Sequence, residues 1–276
     1  MFPIIILPTK HLDFKQEIEK NHITNLCTGE HGWFMPATSH LGGKSRTVFD
    51  GIGGDVLSAG LLLTEGRLKL IDERRFRQLA QDIIGQSSRD VLIRSRMKVL
   101  VSREVALDRI VTELKRHEEA SNPLSFFVFW NRTRRGIALS PYRILRGIKT
   151  VLCPYLDHAV YDLLAGLPGH MFVDHSFHTE AINLAFPQHR DIPYAVHHAS
   201  ADEDRERYRR FVIDVARFAV KHESSLLSKL SLFVRLFRCL IDGRYLESIR
   251  WVGPAALYLL QLESWMKQPL GTDRSE

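Results

Sequence analysis

The sequence predicts an α/β chain dominated by helix, with a few parallel strands near the N-terminus and a helical remainder. Three observations carry this. The apolar run "PIIIL" at 3–7 is short and flanked by Pro3 and Pro8, as a buried strand would be. The β-branched run "RTVFD" at 46–50 reads as a second strand ended by Asp50. Beyond the glycines that follow it, apolar residues recur at spacings of three and four among charges.

In chain order, residues 12–26 have helical spacing, with Leu12, Ile18 and Ile23 among charges. "WFMPATSH" reads as a loop or a short helix. "DVLSAGLLL" opens a helix after the glycine-rich loop. Residues 67–84, 89–118 and 122–130 each read as helix, and "YLDHAVYDLLAGLP" as another stopped by Gly166 and Pro168. "HTEAINLAFP" is a shorter one, and 201–242 and 245–268 are long helical patterns. Two strands do not complete a parallel sheet, so they are expected to be the last part of a larger one. The expected division is an α/β unit over 1–195 and a helical extension over 196–276.

The 276 residues can bury a real core, and 45% hydrophobic with 25% charged residues excludes a disordered chain. A net charge of +6 and a pI near 9.3 admit an anionic ligand, but nucleic acid is not expected as the main partner. Cys27, Cys153 and Cys239 are far apart and odd in number, so reduced, mostly buried thiols in a cytoplasmic setting are expected. "MFPIIILPTK" lacks a basic n-region and is too short to span a bilayer, so no membrane association is expected. His170, His175 and His178, with Asp174, match no common zinc spacing and read as ordinary surface and core histidines. "NRTRRG" at 131–136 reads as a helix end, with an anion-facing patch as the alternative. "RSRMK" at 94–98 reads the same way.

The stretch "TVFDGIGGDVLSAG" at 47–60 is where chemistry concentrates. It fails the dinucleotide fingerprint G-x-G-x-x-G because Val56 stands at the third glycine. "GGKS" at 42–45 fails the P-loop template because Thr38 stands where a glycine is needed. What remains is a strand, D-G-x-G-G-D, and a helix. Glycines there let a ligand approach the backbone, and a helix start offers free N–H groups to an anion. Asp55 at that mouth would hold Mg2+ bridging phosphates, or would only cap the helix.

This stretch resembles the second signature of the asparagine synthase family's C-terminal, ATP-using synthetase domain, where a strand ends in G-x-G-[SG]-D-E and leads to a helix. "CPYLDHAVYDLLAGLPGHM" resembles the family's P-F-L-D segment, with Pro154, Tyr155, Leu156 and Asp157 in register. "HTEAINLAFPQHRDIP" resembles the family stretch that follows, and the likeness spans residues 4–195. It implies a partial adenine-nucleotide α-hydrolase-like (Rossmann-like) fold and ATP-dependent amide formation on a carboxylate, with ATP and Mg2+ as cofactors. Carried over, Asp50 and Gly51 would line the adenosine side, Gly53 and Gly54 would sit near the pyrophosphate, and Asp55 would contact the metal.

The departures are equally specific. The family's pyrophosphate loop, S-G-G-x-D-S, does not occur in this sequence, and Met1 is followed by Phe2 where a glutaminase domain would place a nucleophilic cysteine. Ile52 and Val56 stand at positions often held by glutamate, and Ser176, with His175 and His178 beside it, stands near the expected lysine. The expectation is therefore the C-terminal half of a split or truncated synthetase, a separate chain carrying the glutaminase domain and pyrophosphate loop completing it if split. The alternative is a catalytically inactive binding or assembly module that retains the fold.

Overall fold

The computed structural model describes residues 13–28, 31–32, 34–41, 43, 47–85, 89–191 and 201–267. The expected strand at 3–7 lies outside them. The chain is helix-dominated with one two-stranded parallel sheet among the described residues. Its elements are α1 (Phe14–Ile23), α2 (Phe34–Leu41), β1 (Thr47–Phe49), α3 (Gly54–Leu57), α4 (Glu65–Asp72), α5 (Phe76–Ile84), α6 (Arg103–Lys115), α7 (Pro123–Val128), β2 (Thr150–Leu152), α8 (His158–Ala165), α9 (Ser176–Ala185), α10 (Ala201–Lys221), α11 (Lys229–Ile241), α12 (Gly243–Ser248) and α13 (Val252–Met266).

Side-chain caps set many of these starts, satisfying N–H groups that have no partner inside the helix. Asp13 caps α1 through Lys15 and Gln16, Thr64 caps α4 through Arg67, and Ser102 caps α6 through Val105. Asn122 caps α7 with Pro123 at its first position, Asp157 caps α8 through Ala159 and Val160, and Ser228 caps α11.

The chain forms two compact units that interleave along the sequence: residues 1–40, 88–101 and 198–276 in one, 41–87 and 102–197 in the other. The expected division at 195/196 falls near the last crossing, while 1–40 and 88–101 lie with the C-terminal helices. Within the first unit, α10, α11 and α13 bury Phe211, Val212, Val215, Leu232, Leu236, Ala256, Leu257 and Leu260 against one another. A fully buried Lys20–Glu17 ion pair at 2.6 Å lies in α1. Burial holds the Glu17 carboxyl above its ordinary value despite the adjacent Lys20.

In the second unit, α5 packs on α6 through Phe76, Leu79, Leu107 and Leu114, and α7 adds Leu124, Phe127 and Val128. Arg77 bridges to Glu104 and Asp108 over the exposed side of that helix pair.

Several expected helices are broken. The 67–84 pattern divides into α4 and α5 at Arg74, whose φ of 53° is left-handed. The 89–118 pattern begins as 3-10 turns at Arg89–Leu92 and Ser95–Val101 before α6. The 122–130 pattern passes from α7 into π-helical backbone over Phe129–Ile137. The 201–242 pattern breaks between α10 and α11, because Ser224 and Ser225 turn their polar groups onto Glu263 of α13. "WFMPATSH" contains α2.

The helix expected from "DVLSAGLLL" is a single turn, α3. It ends because Gly60 takes a φ of +66° and runs against the Phe172 carbonyl, where an added Cβ would come within 2.3 Å. Only glycine satisfies both conditions. Gly60→Ala is therefore expected to destabilise the protein by roughly 2–4 kcal/mol, whereas Gly51→Ala, where a Cβ meets nothing within 4 Å, changes it by less than about 1 kcal/mol. Chemical denaturation of the two variants checks the contrast.

Burial alone would raise the Glu263 carboxyl, but hydrogen bonds from the Ser224 and Ser225 hydroxyls and the Ser225 and Leu226 N–H groups outweigh it and hold the group at about 2. Because that lies below the ordinary value of 4.5, the stabilisation is present above about pH 4.5 and is lost as the pH falls toward 2. Glu263→Gln is expected to lower stability at pH 7 by roughly 2 kcal/mol and to flatten the acid limb, as measured by urea unfolding across pH.

Candidate functional site

β1 and β2 pair in parallel with Thr47 opposite Thr150, Val48 opposite Val151 and Phe49 opposite Leu152. The Asp50 N–H extends the ladder by donating to the Leu152 carbonyl at 2.8 Å. Both quoted signatures therefore leave the sheet together: the 50–55 loop follows β1 and the 153–157 segment follows β2. Ligands of parallel α/β sheets bind at this carboxyl end of the strands. The sheet's surface is incompletely covered, with Phe49 73% and Leu152 42% exposed. Faces of parallel strands are ordinarily buried.

Each loop residue has a definite role. The Asp50 carboxylate accepts the Ile52 N–H at 2.9 Å, which starts the turn. Gly51 is exposed, and a Cβ there would meet nothing within 4 Å. Gly53 caps α3 in the left-handed region at φ +88°, with Phe129, Leu156 and Leu57 lying 3.6–3.7 Å from where its Cβ would be. Gly54 is buried beneath the Tyr155 ring, which a Cβ would approach to 2.6 Å. Ile52 and Val56, which replace the glutamates of the resemblance, are core residues at 7% and 0% exposure. Carboxylates there would be desolvated without a partner.

Asp55 lies in the first turn of α3, where the left-handed Gly53 rather than Asp55 is the cap. Its carboxylate pairs with the Arg132 guanidinium at 3.0 Å. Arg132 sits in the π-helical segment Phe129–Ile137, the "NRTRRG" stretch that the sequence reads as a helix end. The wider backbone of a π turn changes the facing of its side chains relative to an α-helix. Sequence spacing therefore does not announce this pairing. Nearby, Arg134 lies over the Trp130 ring at 4.9 Å.

Two further groups lie at the strand ends: Tyr142, which sequence reasoning passed over, and Cys153, expected as a mostly buried thiol and found half-buried. The Tyr142 hydroxyl is pushed up to about 12, chiefly by its hydrogen bond with Cys153, then by burial and the Cys153 and Asp50 charges. Cys153 is itself raised, first by burial and also by Asp50, against a lowering hydrogen bond from Tyr142. Neither is poised to ionise near neutrality, so Cys153 is not an activated nucleophile. Of the other thiols, Cys27 is exposed and Cys239 buried.

Beside Gly54 and Tyr155, the buried Ser58 hydroxyl lies 2.9 Å from the Gly54 carbonyl, 3.2 Å from Tyr155 Oη and 3.1 Å from His178 Nδ1. The hydroxyl has one proton to give, so the others act as donors to it or compete for that proton. His178 thus joins a network around α3, while His170 and His175 are exposed. Among the described residues no group of three or more His, Cys, Asp or Glu side chains is placed to hold a metal ion. No helix among them is long and apolar enough to cross a membrane. Mg2+ accepts one or two protein carboxylates when phosphates complete its shell. Asp55 fits that requirement only together with a nucleotide, and only if it exchanges Arg132 for the ion.

No family model, curated protein or solved structure matches the chain.

The Gly54–Tyr155 contact makes the two loops one packed body. Gly54→Ala is expected to destabilise strongly in the natural protein and much less in a Tyr155→Ala background. A double-mutant cycle should return a coupling of at least about 1 kcal/mol, and additive effects would show that the loops pack independently.

Proposed function

We propose that this chain is asparagine synthase-like, contributing a nucleotide-binding half to ATP-dependent amide-bond formation on a carboxylate. The observation that carries the proposal is the parallel β1–β2 pairing, which brings the two signatures side by side at the carboxyl ends of their strands. On this reading the two strands are the edge of a partial Rossmann-like sheet. The nucleotide lies over Asp50 and the open backbone at Gly51. Asp55 turns from Arg132 to Mg2+ when phosphates arrive, and the Arg132 guanidinium lies beside those phosphates. Arginine suits that role because its planar fork holds phosphate oxygens in pairs. The carboxylate substrate comes with the resemblance, and the cytoplasmic setting with the cysteine usage.

A separate chain carrying the glutaminase domain and the S-G-G-x-D-S loop would complete the site. The exposed Phe49 and Leu152 offer an apolar sheet surface for such a partner.

One observation favours the second reading, a binding or assembly module without catalysis. Gly53 and Gly54, the glycines assigned to the pyrophosphate, are covered by Leu156 and Tyr155 of the same chain. Those glycines already serve packing, so their presence alone does not argue for a phosphate.

Pyrophosphate exchange into ATP, driven by aspartate and other carboxylates, separates the readings when run with and without a co-encoded partner. Exchange in either case supports the synthetase, and none in both supports the module. Asp55→Ala removes an exposed ion pair and is expected to change stability by less than about 1 kcal/mol. It should weaken Mg2+-dependent ATP binding at least about tenfold, the effect of one lost charge-assisted contact. Calorimetric titration giving the same affinity with and without Mg2+ would remove Asp55 from the metal site.

A further inference from the structure

We infer that α11 is a docking surface for an anionic lipid bilayer, with one row of apolar side chains entering the bilayer interface and the basic side chains beside it meeting the headgroups. Leu230, Val234, Phe237 and Ile241 are 78%, 59%, 65% and 70% exposed. They stand four, three and four residues apart along Lys229–Ile241. At about 3.6 residues per turn, that spacing keeps them within an arc of about 60°. The opposite face of the helix is already packed, because Leu232, Leu236 and Cys239 are buried in the core with α10 and α13.

Single exposed apolar side chains are ordinary on a protein surface, but a contiguous row of them marks an interaction surface. The charge beside the row indicates what it meets. α11 carries Lys229, Arg235 and Arg238 and no carboxylate. Arg235 donates to the Ser231 carbonyl and hydroxyl, and Arg238 lies over the Tyr245 ring and 3.8 Å from Asp242. Among the described residues, neither Lys229 nor Arg235 pairs with a carboxylate. Apolar residues on one face with lysine and arginine beside them are the composition of helices that lie in the plane of a bilayer. Anionic lipids attract such cations to the surface. No helix among the described residues is long and apolar enough to cross a membrane, and a helix lying along the surface needs neither property.

Other occupants fit the row less well. A second copy that paired its own α11 with this one about a two-fold axis would set the same three cations against each other. The hot spots of protein interfaces favour Trp, Tyr and Arg, and Leu and Val are under-represented in them. This row holds Leu230 and Val234 and has no Trp or Tyr. A fluid anionic surface asks only for protruding apolar side chains with cations at their border. The row belongs to the unit that does not contain the strand ends, so the contact is independent of the nucleotide reading.

The test sediments the full chain with phosphatidylcholine vesicles and with vesicles that also contain phosphatidylglycerol. A net charge of +6 would by itself draw the chain to the second kind, so two charge-matched variants separate the row from the net charge. Phe237→Glu places a carboxylate in the row, and Leu184→Glu places one at an 83% exposed position in the other unit. The natural chain is expected to bind the anionic vesicles at least about tenfold more tightly than the neutral ones. Phe237→Glu should weaken that binding at least about tenfold, and Leu184→Glu by no more than about twofold. Should Phe237→Glu prevent folding, Ile241→Glu, at the exposed end of α11, should give the same loss. Equal weakening by the row variant and Leu184→Glu, equal binding to both kinds of vesicle, or no binding to the anionic ones would each overturn the inference. So would a dimer in sedimentation equilibrium that Phe237→Glu dissociates, which would assign the row to a second copy.

Discussion

The missing side chain at Gly54 is the constraint on which the arrangement of the strand ends depends. It lets the Tyr155 ring close over the first turn of α3, where a Cβ would approach the ring to 2.6 Å. That contact joins two segments about a hundred residues apart, and the Asp50–Leu152 backbone hydrogen bond joins them again at the end of the sheet. Ser58 and His178 brace the same turn. Loops are where ligand-binding groups are carried on a rigid scaffold. Here the scaffold is a three-residue parallel pair locked by glycine.

The same economy limits what the loop offers a ligand. Of the residues assigned to a nucleotide, Gly53 and Gly54 face protein, and Asp50 has one carboxylate oxygen on the Ile52 N–H. Gly51, the Asp55–Arg132 pair, Pro154 and Asp157 are among what the strand ends present outward. An exposed pair of this kind contributes little to stability, so under the proposed reading its exchange for a metal and phosphate would carry little folding penalty. A helix of one turn lends α3 little macrodipole, so a bound phosphate would rely on Arg132 and backbone N–H groups rather than on the helix end.

Much of this was legible in the sequence. The strand ending at Asp50, the left-handed glycine at the mouth of α3 and the helical character of the remainder follow from β-branched runs, glycine spacing and apolar periodicity. Asp157 was legible as part of a motif, and its structural work as the α8 cap is the sort of role aspartate takes before a helix. What was illegible depended on distance in the chain. Periodicity cannot show that Gly60 meets the Phe172 carbonyl or that Ser224 and Ser225 turn toward Glu263. The Asp55–Arg132 pair was hidden for a further reason: Arg132 lies on π-helical backbone, whose side-chain facing an α-helical count misplaces. Tyr142 and Cys153 lie outside the matched P-F-L-D positions, and their hydrogen bond beside Asp50 carries no signal in the sequence.

The central claim is that the loops after β1 and β2 form one nucleotide-facing surface. Backbone amide NMR during titration with MgATP tests it most directly. The account predicts that the amide resonances of residues 50–55, Cys153 and 155–157 shift together along one saturation curve, with the Arg132 amide among them. Shifts confined to one loop, or a titration that leaves both loops unmoved, would contradict it.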